Sequence, residues 1–190
     1  RQIGSHLLEM GLGPDRPLLI LSGNSLEHGL LGVACFYVGI PFAPVSPAYS
    51  LVSKDHSKLK DIAALLNPGA VYAEDGDQFA PALASISSPQ REVIALRGAS
   101  SVPFADLLQG DGPSAGQARA TVASTTVVKY LFTSGSTGNP KAVINTNGMI
   151  CANQAMVRDC YRFLEKRPPA VLDSAPRNHT AACNKVSYLV

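Results

Sequence analysis

The sequence predicts an α/β protein in which helices cover a mostly parallel sheet. Two observations predict this class: apolar runs of strand length alternate with segments of helical periodicity, and the first such run is apolar at every position. Strands buried on both faces have this continuous apolar character, whereas half-exposed strands alternate. Hydrophobic residues make up 46% of the 190 residues, enough for a sizeable core, so intrinsic disorder is excluded.

Apolar spacing and capping residues predict the first three elements. Apolar residues within 3–8 share one helical face, and a Gly-Leu-Gly sequence ends that helix. Residues 17–21 form the continuous apolar run and predict a buried strand. Asn24 or Ser25 can cap a second helix, which is expected to run to about Val38.

The next elements continue the alternation of helix and strand. Residues 40–45 predict an extended segment closed by Ser-Pro, and Ser53 can cap a helix that runs to Leu66. The apolar positions of that helix are expected to face inward: Leu59, Ile62, Ala63, Leu65 and Leu66. Short strands are predicted at 70–73 and 92–96.

Residues 98–126 differ in composition, because Gly, Ser, Ala, Pro and Thr dominate them. This composition predicts a surface linker, within which residues 102–108 predict a short docked turn or helix. A strand is then predicted at 125–133, followed by a Gly/Ser/Thr loop and a second strand at 142–146. Two further elements are predicted: a helix at 148–165, stopped by two prolines, and a strand at 170–173.

Charge and ligand spacing exclude several classes of function. Lys and Arg number 16 and Asp and Glu 14, and this net charge of +2 favours neither nucleic acid nor acidic membranes as a partner. The four cysteines and four histidines lack paired spacing, so we expect no disulfide framework, no zinc site and a cytoplasmic protein. The uncharged run at 29–53 is interrupted by prolines, so no membrane span is predicted.

One loop carries the pattern of a binding site. A strand leads into three hydroxyls, two glycines and a lysine: Ser134, Gly135, Ser136, Thr137, Gly138 and Lys141. Glycines let backbone N–H groups approach an anion, hydroxyls add donors, and lysine supplies a point charge for phosphate. Together they predict a cradle for a polyphosphate, and the alternative is a flexible Ser/Gly hairpin loop.

Other loops with related composition fit less well. A Walker A loop needs Gly before its Lys and Ser or Thr after it, but Pro140 precedes Lys141 and Ala142 follows it. The G-x-S-x-G nucleophile elbow fails because Ser134 stands where its first glycine belongs. The Pro-Lys ending and the flanking strands favour the phosphate cradle over the flexible loop. Lys129, in the strand before the loop, is expected at a solvated strand end.

At this loop the chain resembles a known family. Residues 133–141, TSGSTGNPK, are similar to the signature loop of the adenylate-forming (AMP-binding) superfamily, which includes acyl-CoA synthetases, luciferases and peptide-synthetase adenylation domains. Residues 39–47 resemble the family's earlier G-x-x-x-x-P-x-x-P turn, and residues 173–180 resemble the segment lining its acyl pocket. Residues 142–146 and the Asn-His-Thr triplet at 178–180 look most like feruloyl-CoA synthetase and related aromatic acyl-CoA ligases.

The resemblance implies an AMP-forming acid–thiol ligase that works in two steps. A carboxylate attacks the α-phosphate of ATP to give an acyl-adenylate and pyrophosphate, and the thiol of coenzyme A then displaces AMP. The implied partners are ATP, Mg²⁺, coenzyme A and a small carboxylic acid of aromatic, feruloyl-like type. The implied ATP-phosphate residues are Thr133, Ser134, Gly135, Ser136, Thr137, Gly138 and Lys141, and Lys141 is also implied in catalysis. Asn178 and His179 are implied as the wall near the acyl carboxylate.

The resemblance covers essentially all of the chain but only the first part of the family's large N-terminal domain. We therefore expect residues 1–190 to be an incomplete AMP-binding domain, inactive alone, with its strand–phosphate loop–strand unit at 130–146 and without the C-terminal domain. Departures from the feruloyl pattern at Arg177 and at 181–183 leave the acid open. Two alternatives remain: an adenylation domain that loads a carrier protein, and a degenerate, non-catalytic nucleotide-binding module.

Overall fold

Seven strands form one sheet in the part of the chain that the structure, a computed structural model, describes: residues 1–133, 140–165, 175–176 and 178. In chain order they are β1 Leu18–Leu21, β2 Phe42–Pro44, β3 Ala70–Asp75, β4 Glu92–Arg97, β5 Val102–Pro103, β6 Val127–Thr133 and β7 Lys141–Thr146. They lie side by side in the order β5-β4-β3-β1-β2-β6-β7. All neighbours are parallel except β6 and β7, which are antiparallel. The predicted α/β fold with a mostly parallel sheet is confirmed.

Helices connect the strands and follow the last one. The α-helices of the described residues are α1 Gln2–Glu9, α2 Leu26–Val38, α3 Ser57–Leu66, α4 Ala80–Ser85, α5 Pro113–Thr121 and α6 Asn147–Cys160. A π-helical turn spans Ala48–Val52, and 3-10 helices span Phe104–Gln109 and Arg162–Glu165. None of the described helices has the length and apolar character needed to cross a bilayer.

Two apolar clusters cover the two faces of the sheet, and β1 contributes to both. Successive side chains of a strand point to opposite faces. Leu18 and Ile20 therefore join the cluster that includes side chains of α1, α2 and α5, whereas Leu19 and Leu21 join the cluster that includes those of α3 and α4. All four are fully buried. Full burial of each such side chain stabilises the fold by about 1.5–3 kcal/mol. The uninterrupted apolar run therefore suits a strand in the middle of the sheet, covered on both faces.

The end of α2 packs against the segment that leads into β6. Gly39 ends α2 with a φ of 74°, a left-handed conformation that other residues rarely adopt. A Cβ atom at Gly39 would lie 3.0 Å from Cγ2 of Val122 and 3.3 Å from Cγ2 of Thr126. This close approach places the start of β6 beside the helix that precedes β2.

Residues 98–126 are more ordered than the predicted surface linker. They contain β5, a 3-10 helix and α5. Phe104 and Leu107 of the 3-10 helix and Ala115 of α5 are buried in the cluster beneath α1 and α2. The docked helix expected at 102–108 is therefore present, but the linker interpretation of the whole segment is wrong. Composition did not predict this packing, because only a few buried residues make it and many small, exposed residues surround them.

Two predictions about α3 are also wrong. Leu65 is 62% exposed instead of facing the core. Ser53 does not cap α3, because it ends the π-helical turn and α3 begins only at Ser57, with His56 at the cap and a φ of 53°. The Oγ of Ser53 instead accepts a hydrogen bond from the backbone N–H of His56 at 3.1 Å. Helix α4 was not predicted, and the strand predicted at 170–173 lies outside the described residues.

Candidate functional site

β6 and β7 form an antiparallel hairpin, and its mouth is where the predicted phosphate loop begins and ends. The final register pair of the hairpin sets Thr133 opposite Lys141, and both residues are exposed. The structure thus brings together the two ends of the predicted loop. The other predicted phosphate-binding residues lie outside the described part of the chain and stay predictions: Ser134, Gly135, Ser136, Thr137 and Gly138.

Three neighbouring parallel strands end beside this mouth. β6 pairs with β2, and β2 pairs with β1, both in parallel. The carboxyl ends of parallel strands share one edge of a sheet, and open α/β sheets bind their ligands at that edge. The turns that follow β1 and β2 therefore lie on the same side of the sheet as the mouth of the hairpin.

A polar turn, residues 22–25, joins β1 to α2 at this edge. The Oγ of Ser22 lies 3.0 Å from Nδ1 of the buried His28, and that nitrogen lies 3.1 Å from the carbonyl oxygen of Gly23. The Oγ of Ser25 accepts a hydrogen bond from the backbone N–H of His28 at 3.2 Å. Ser25 is thus the cap of α2, one of the two residues predicted for that role. These contacts fix the turn to a buried strand and helix.

Asn24, in the same turn, contacts the C-terminal part of the chain. Its Nδ2 donates a hydrogen bond to the carbonyl oxygen of Ala175 at 2.9 Å. Asn178, predicted near the acyl carboxylate, is half-buried, and His179 lies outside the described residues. The sequence suggested only a capping role for Asn24, and its contact with Ala175 carries no sequence signal because the acceptor is a main-chain carbonyl.

Lys129 is fully buried, so the prediction of a solvated strand end is wrong. In β6 it lies in register with Phe42 of β2 on one side and Asn145 of β7 on the other. The position is enclosed because the sheet continues on both sides of β6, which the sequence of one strand cannot show. Burial of an ammonium group is costly unless polar groups surround it. Lys129 therefore needs polar neighbours, which a leucine at the same position would not need.

Burial controls the ionisation of two core residues on the same face of the sheet. Burial raises the pKa of Tyr72 to about 12, and its ring packs edge-to-face on Phe104 with centroids 5.9 Å apart. Burial also raises the pKa of the Cys35 thiol well above its ordinary value. Both residues belong to the core and not to the carboxyl edge.

Among the residues that the structure describes, no group of three His, Cys, Asp or Glu side chains is placed to hold a metal ion.

The fold and the hairpin define a class of proteins: α/β sheets whose parallel strands end beside a loop rich in Ser, Thr and Gly. The model of the AMP-binding enzyme family matches residues 1–189, and the chain belongs to this family. The predicted superfamily is confirmed, whereas the feruloyl-CoA synthetase branch stays a prediction. A comparison with curated proteins finds no match.

Solved structures with the same fold include three informative examples. The crystal structure of VinN is 19% identical with a TM-score of 0.69, and the match covers 99% of this chain and 45% of that one. ATP-bound MatB from Rhodopseudomonas palustris is 20% identical with a TM-score of 0.64, covering 98% and 36%. The fatty acyl-adenylate ligase from L. pneumophila, in complex with acyl adenylate and pyrophosphate, is 20% identical with a TM-score of 0.60, covering 85% and 26%. The chain thus spans less than half the length of these structures, and the likeness shows the fold.

Proposed function

We propose that the complete protein containing this chain activates a carboxylic acid with ATP. A carboxylate oxygen attacks the α-phosphorus, the bond to the pyrophosphate oxygen breaks, and acyl-adenylate and pyrophosphate result. The observation that carries the proposal is the β6–β7 hairpin, which sets Thr133 opposite Lys141 at the ligand-binding edge of a family fold. Two of the similar structures support it, since one is described as ATP-bound and another holds acyl adenylate and pyrophosphate.

Lys141 and the loop between the strands would act on the departing phosphates. Negative charge moves onto the pyrophosphate as its bond to the α-phosphorus breaks. Hydrogen-bond donors and a lysine held at the end of a strand stabilise that charge more than they stabilise the starting state, because they need little reorganisation. The exposed position of Lys141, opposite Thr133, leaves its ammonium group accessible to a nucleotide.

We propose that Mg²⁺ enters bound to the phosphates of ATP and not to a site made of the described residues. Mg²⁺ commonly binds nucleotides through phosphate oxygens and water, with few protein ligands. The described residues hold no cluster of three His, Cys, Asp or Glu side chains suited to an ion, so we assign no step to the metal on these residues.

We further propose that the acyl group passes to the thiol of coenzyme A and that the acid is aromatic and feruloyl-like. The support is the resemblance at residues 142–146 and 178–180. A carrier-protein thiol is the alternative acceptor. A cytoplasmic location fits the three described cysteines, Cys35, Cys151 and Cys160, which are free.

The test is acid-dependent exchange of labelled pyrophosphate into ATP by the complete protein, with a panel of aromatic and aliphatic acids. Lys141→Ala should lower the exchange rate by about 100-fold or more, the usual effect of removing one donor to a developing oxyanion. Arg119→Ala is the control, because Arg119 is an exposed cation of α5, in the connection that enters the amino end of β6. Equal rates in the wild type and Lys141→Ala would contradict the role of Lys141.

The acceptor and the alternatives have their own readouts. Thioester formation with free coenzyme A supports a CoA ligase, and transfer only to a carrier protein supports the adenylation-domain alternative. ATP binding without exchange for any acid would indicate a non-catalytic nucleotide-binding module and overturn the proposed reaction.

A further inference from the structure

A polar groove lies at the edge of the sheet opposite the mouth of the hairpin. Two adjoining cavities of about 400 Å³ and about 250 Å³ form it, and Asn67 and Ser88 line both. The groove is bordered by connections that enter the amino ends of strands: Arg16 precedes β1, Pro68 precedes β3, and Arg91 precedes β4. It is therefore separate from the carboxyl edge, where the nucleotide is proposed to bind.

The charge of this groove is one-sided. Arg16, Lys60 and Arg91 line the two cavities, and no described carboxylate does. The ion pairs formed within the described residues involve Arg97 and Arg158 and not these three cations. Among the described residues, the groove therefore gathers three cations that form no ion pair with a carboxylate.

Both arginines are held in place by main-chain carbonyls. Nη2 of Arg16 donates to the carbonyl oxygen of Gln90 at 2.8 Å. Nε of Arg91 donates to the carbonyl oxygen of Pro68 at 3.1 Å, and its Nη1 donates to the carbonyl oxygen of Ile86. Since a guanidinium carries five N–H donors, each arginine is oriented by these bonds and keeps further donors. Burial lowers the pKa of Arg91, and a bound anion would offset that cost of desolvation.

We propose that this groove binds a small phosphate-bearing anion. Lys60 lines the smaller cavity together with the hydroxyls of Ser87 and Ser88, and Arg16 lines the larger cavity, which adjoins it at Ser88. Guanidinium, ammonium and hydroxyl groups on the walls of two adjoining cavities can donate charge-assisted hydrogen bonds to the several oxygens of a tetrahedral anion. Arg91 contributes mainly its charge, because two of its donors already bind the carbonyl oxygens of Pro68 and Ile86.

The test is a titration of the protein with inorganic phosphate at constant ionic strength, followed through the backbone amide NMR signals of Ser87 and Ser88. The wild type should show saturable shifts at these two residues. Lys60→Ala should weaken phosphate binding by about tenfold, as expected for the loss of one contact worth about 1.4 kcal/mol. Lys60 is exposed, so its removal should leave the fold intact.

Lys54→Ala is the matched control, since Lys54 is also exposed and lies outside both cavities. It should leave the titration unchanged. Parallel titrations with pyrophosphate and AMP distinguish a free inorganic anion from a phosphomonoester, and competition of either with phosphate at Ser88 supports the site. Shifts that never saturate, or equal weakening in the two lysine variants, would overturn the proposal, whatever the outcome for the reaction at the other edge.

Discussion

Asn24 links two parts of the chain that are 151 positions apart, through one side-chain hydrogen bond to Ala175. Its own turn is anchored by Ser22, Ser25 and the buried His28. The contact therefore runs from a rigid strand end to a backbone carbonyl near Asn178, the predicted acyl-site residue. If the acid binds beside that segment, the contact should affect the acid more than the nucleotide.

We predict that Asn24→Ala in the complete protein raises the KM for the acid by about two- to tenfold, the range expected for losing one hydrogen bond of about 0.5–1.5 kcal/mol. The KM for ATP should not change. Both constants follow from pyrophosphate exchange measured against acid and against ATP. Gln117→Ala, which removes an exposed carboxamide from α5, is the control. A parallel change in both constants would show instead a general loss of structure.

Single residues differ in how far sequence predicts them. The sequence limited the cap of α2 to Asn24 or Ser25, because both are small polar residues before an apolar helix, and the structure assigns that role to Ser25. Lys129 was not, because its burial depends on the strands that lie on both sides of β6. Lys141 was predicted from composition and spacing, and its placement opposite Thr133 follows from the hairpin register.

At the scale of elements, α5 receives its N-terminal cap from another helix. Gly112 stands at the cap position and offers no side chain. The Oγ of Ser5, in α1, accepts hydrogen bonds from the backbone N–H groups of Gly112 at 3.0 Å and Ala115 at 3.2 Å. Ser5 is fully buried, so these donors would lose their partner in a place that water reaches poorly.

We predict that Ser5→Ala lowers the free energy of unfolding by about 1–2 kcal/mol, the upper part of the range for losing a cap. Urea unfolding measures this directly. Ser100→Ala is a suitable control, because Ser100 is exposed and lies outside α1 and α5, and its cost should stay within about 0.5 kcal/mol. If both variants unfold at the same urea concentration, Ser5 is not the cap of α5.

This cap explains why the segment before β6 misled the prediction from composition. A helix capped within its own sequence shows Ser, Thr, Asp or Asn at its start. Gly112, at the cap position of α5, has no side chain, and Ser5 of α1 accepts hydrogen bonds from the backbone N–H groups of Gly112 and Ala115, so the segment's own start signal is reduced to Asp111. In contrast, the strands at 70–73 and 92–96 were predicted because their apolar character lies in their own residues.

At the scale of the whole molecule, residues 98–126 join the core and return the chain from β5, at one end of the sheet, to β6 beside β2. Leu107 is fully buried in the cluster that contains Tyr72 and Phe104, whereas its neighbour Leu108 is 44% exposed. These two leucines provide a matched test of whether the segment belongs to the cooperative unit.

We predict that Leu107→Ala destabilises the fold by about 2–5 kcal/mol, as expected for a buried leucine whose removal leaves a cavity. Leu108→Ala should cost less than about 0.5 kcal/mol. Thermal and urea unfolding of both variants check this. A detachable linker would instead give two variants of equal stability.

The sequence predicted the class of fold, the central strands and the family, because these depend on long apolar runs and on one distinctive loop. It did not predict the order of the strands. That order follows from pairings such as Phe42 with Lys129, between residues far apart in the chain, and no local pattern encodes them. The same holds for the groove at the amino edge, where Arg16, Lys60 and Arg91 converge only in the folded chain.

The placement of β6 beside β2 ties the position of the hairpin to strands and helices from the start of the chain. β6 is joined to the rest of the sheet through β2, and the segment that leads into β6 packs against Gly39 at the end of α2. The position of Thr133 opposite Lys141 thus depends on contacts with β2 and Gly39, which lie about 90 residues earlier in the chain. A substitution that disturbs the packing at Gly39 would therefore shift β6 and the mouth of the hairpin, although Thr133 and Lys141 themselves stay unchanged.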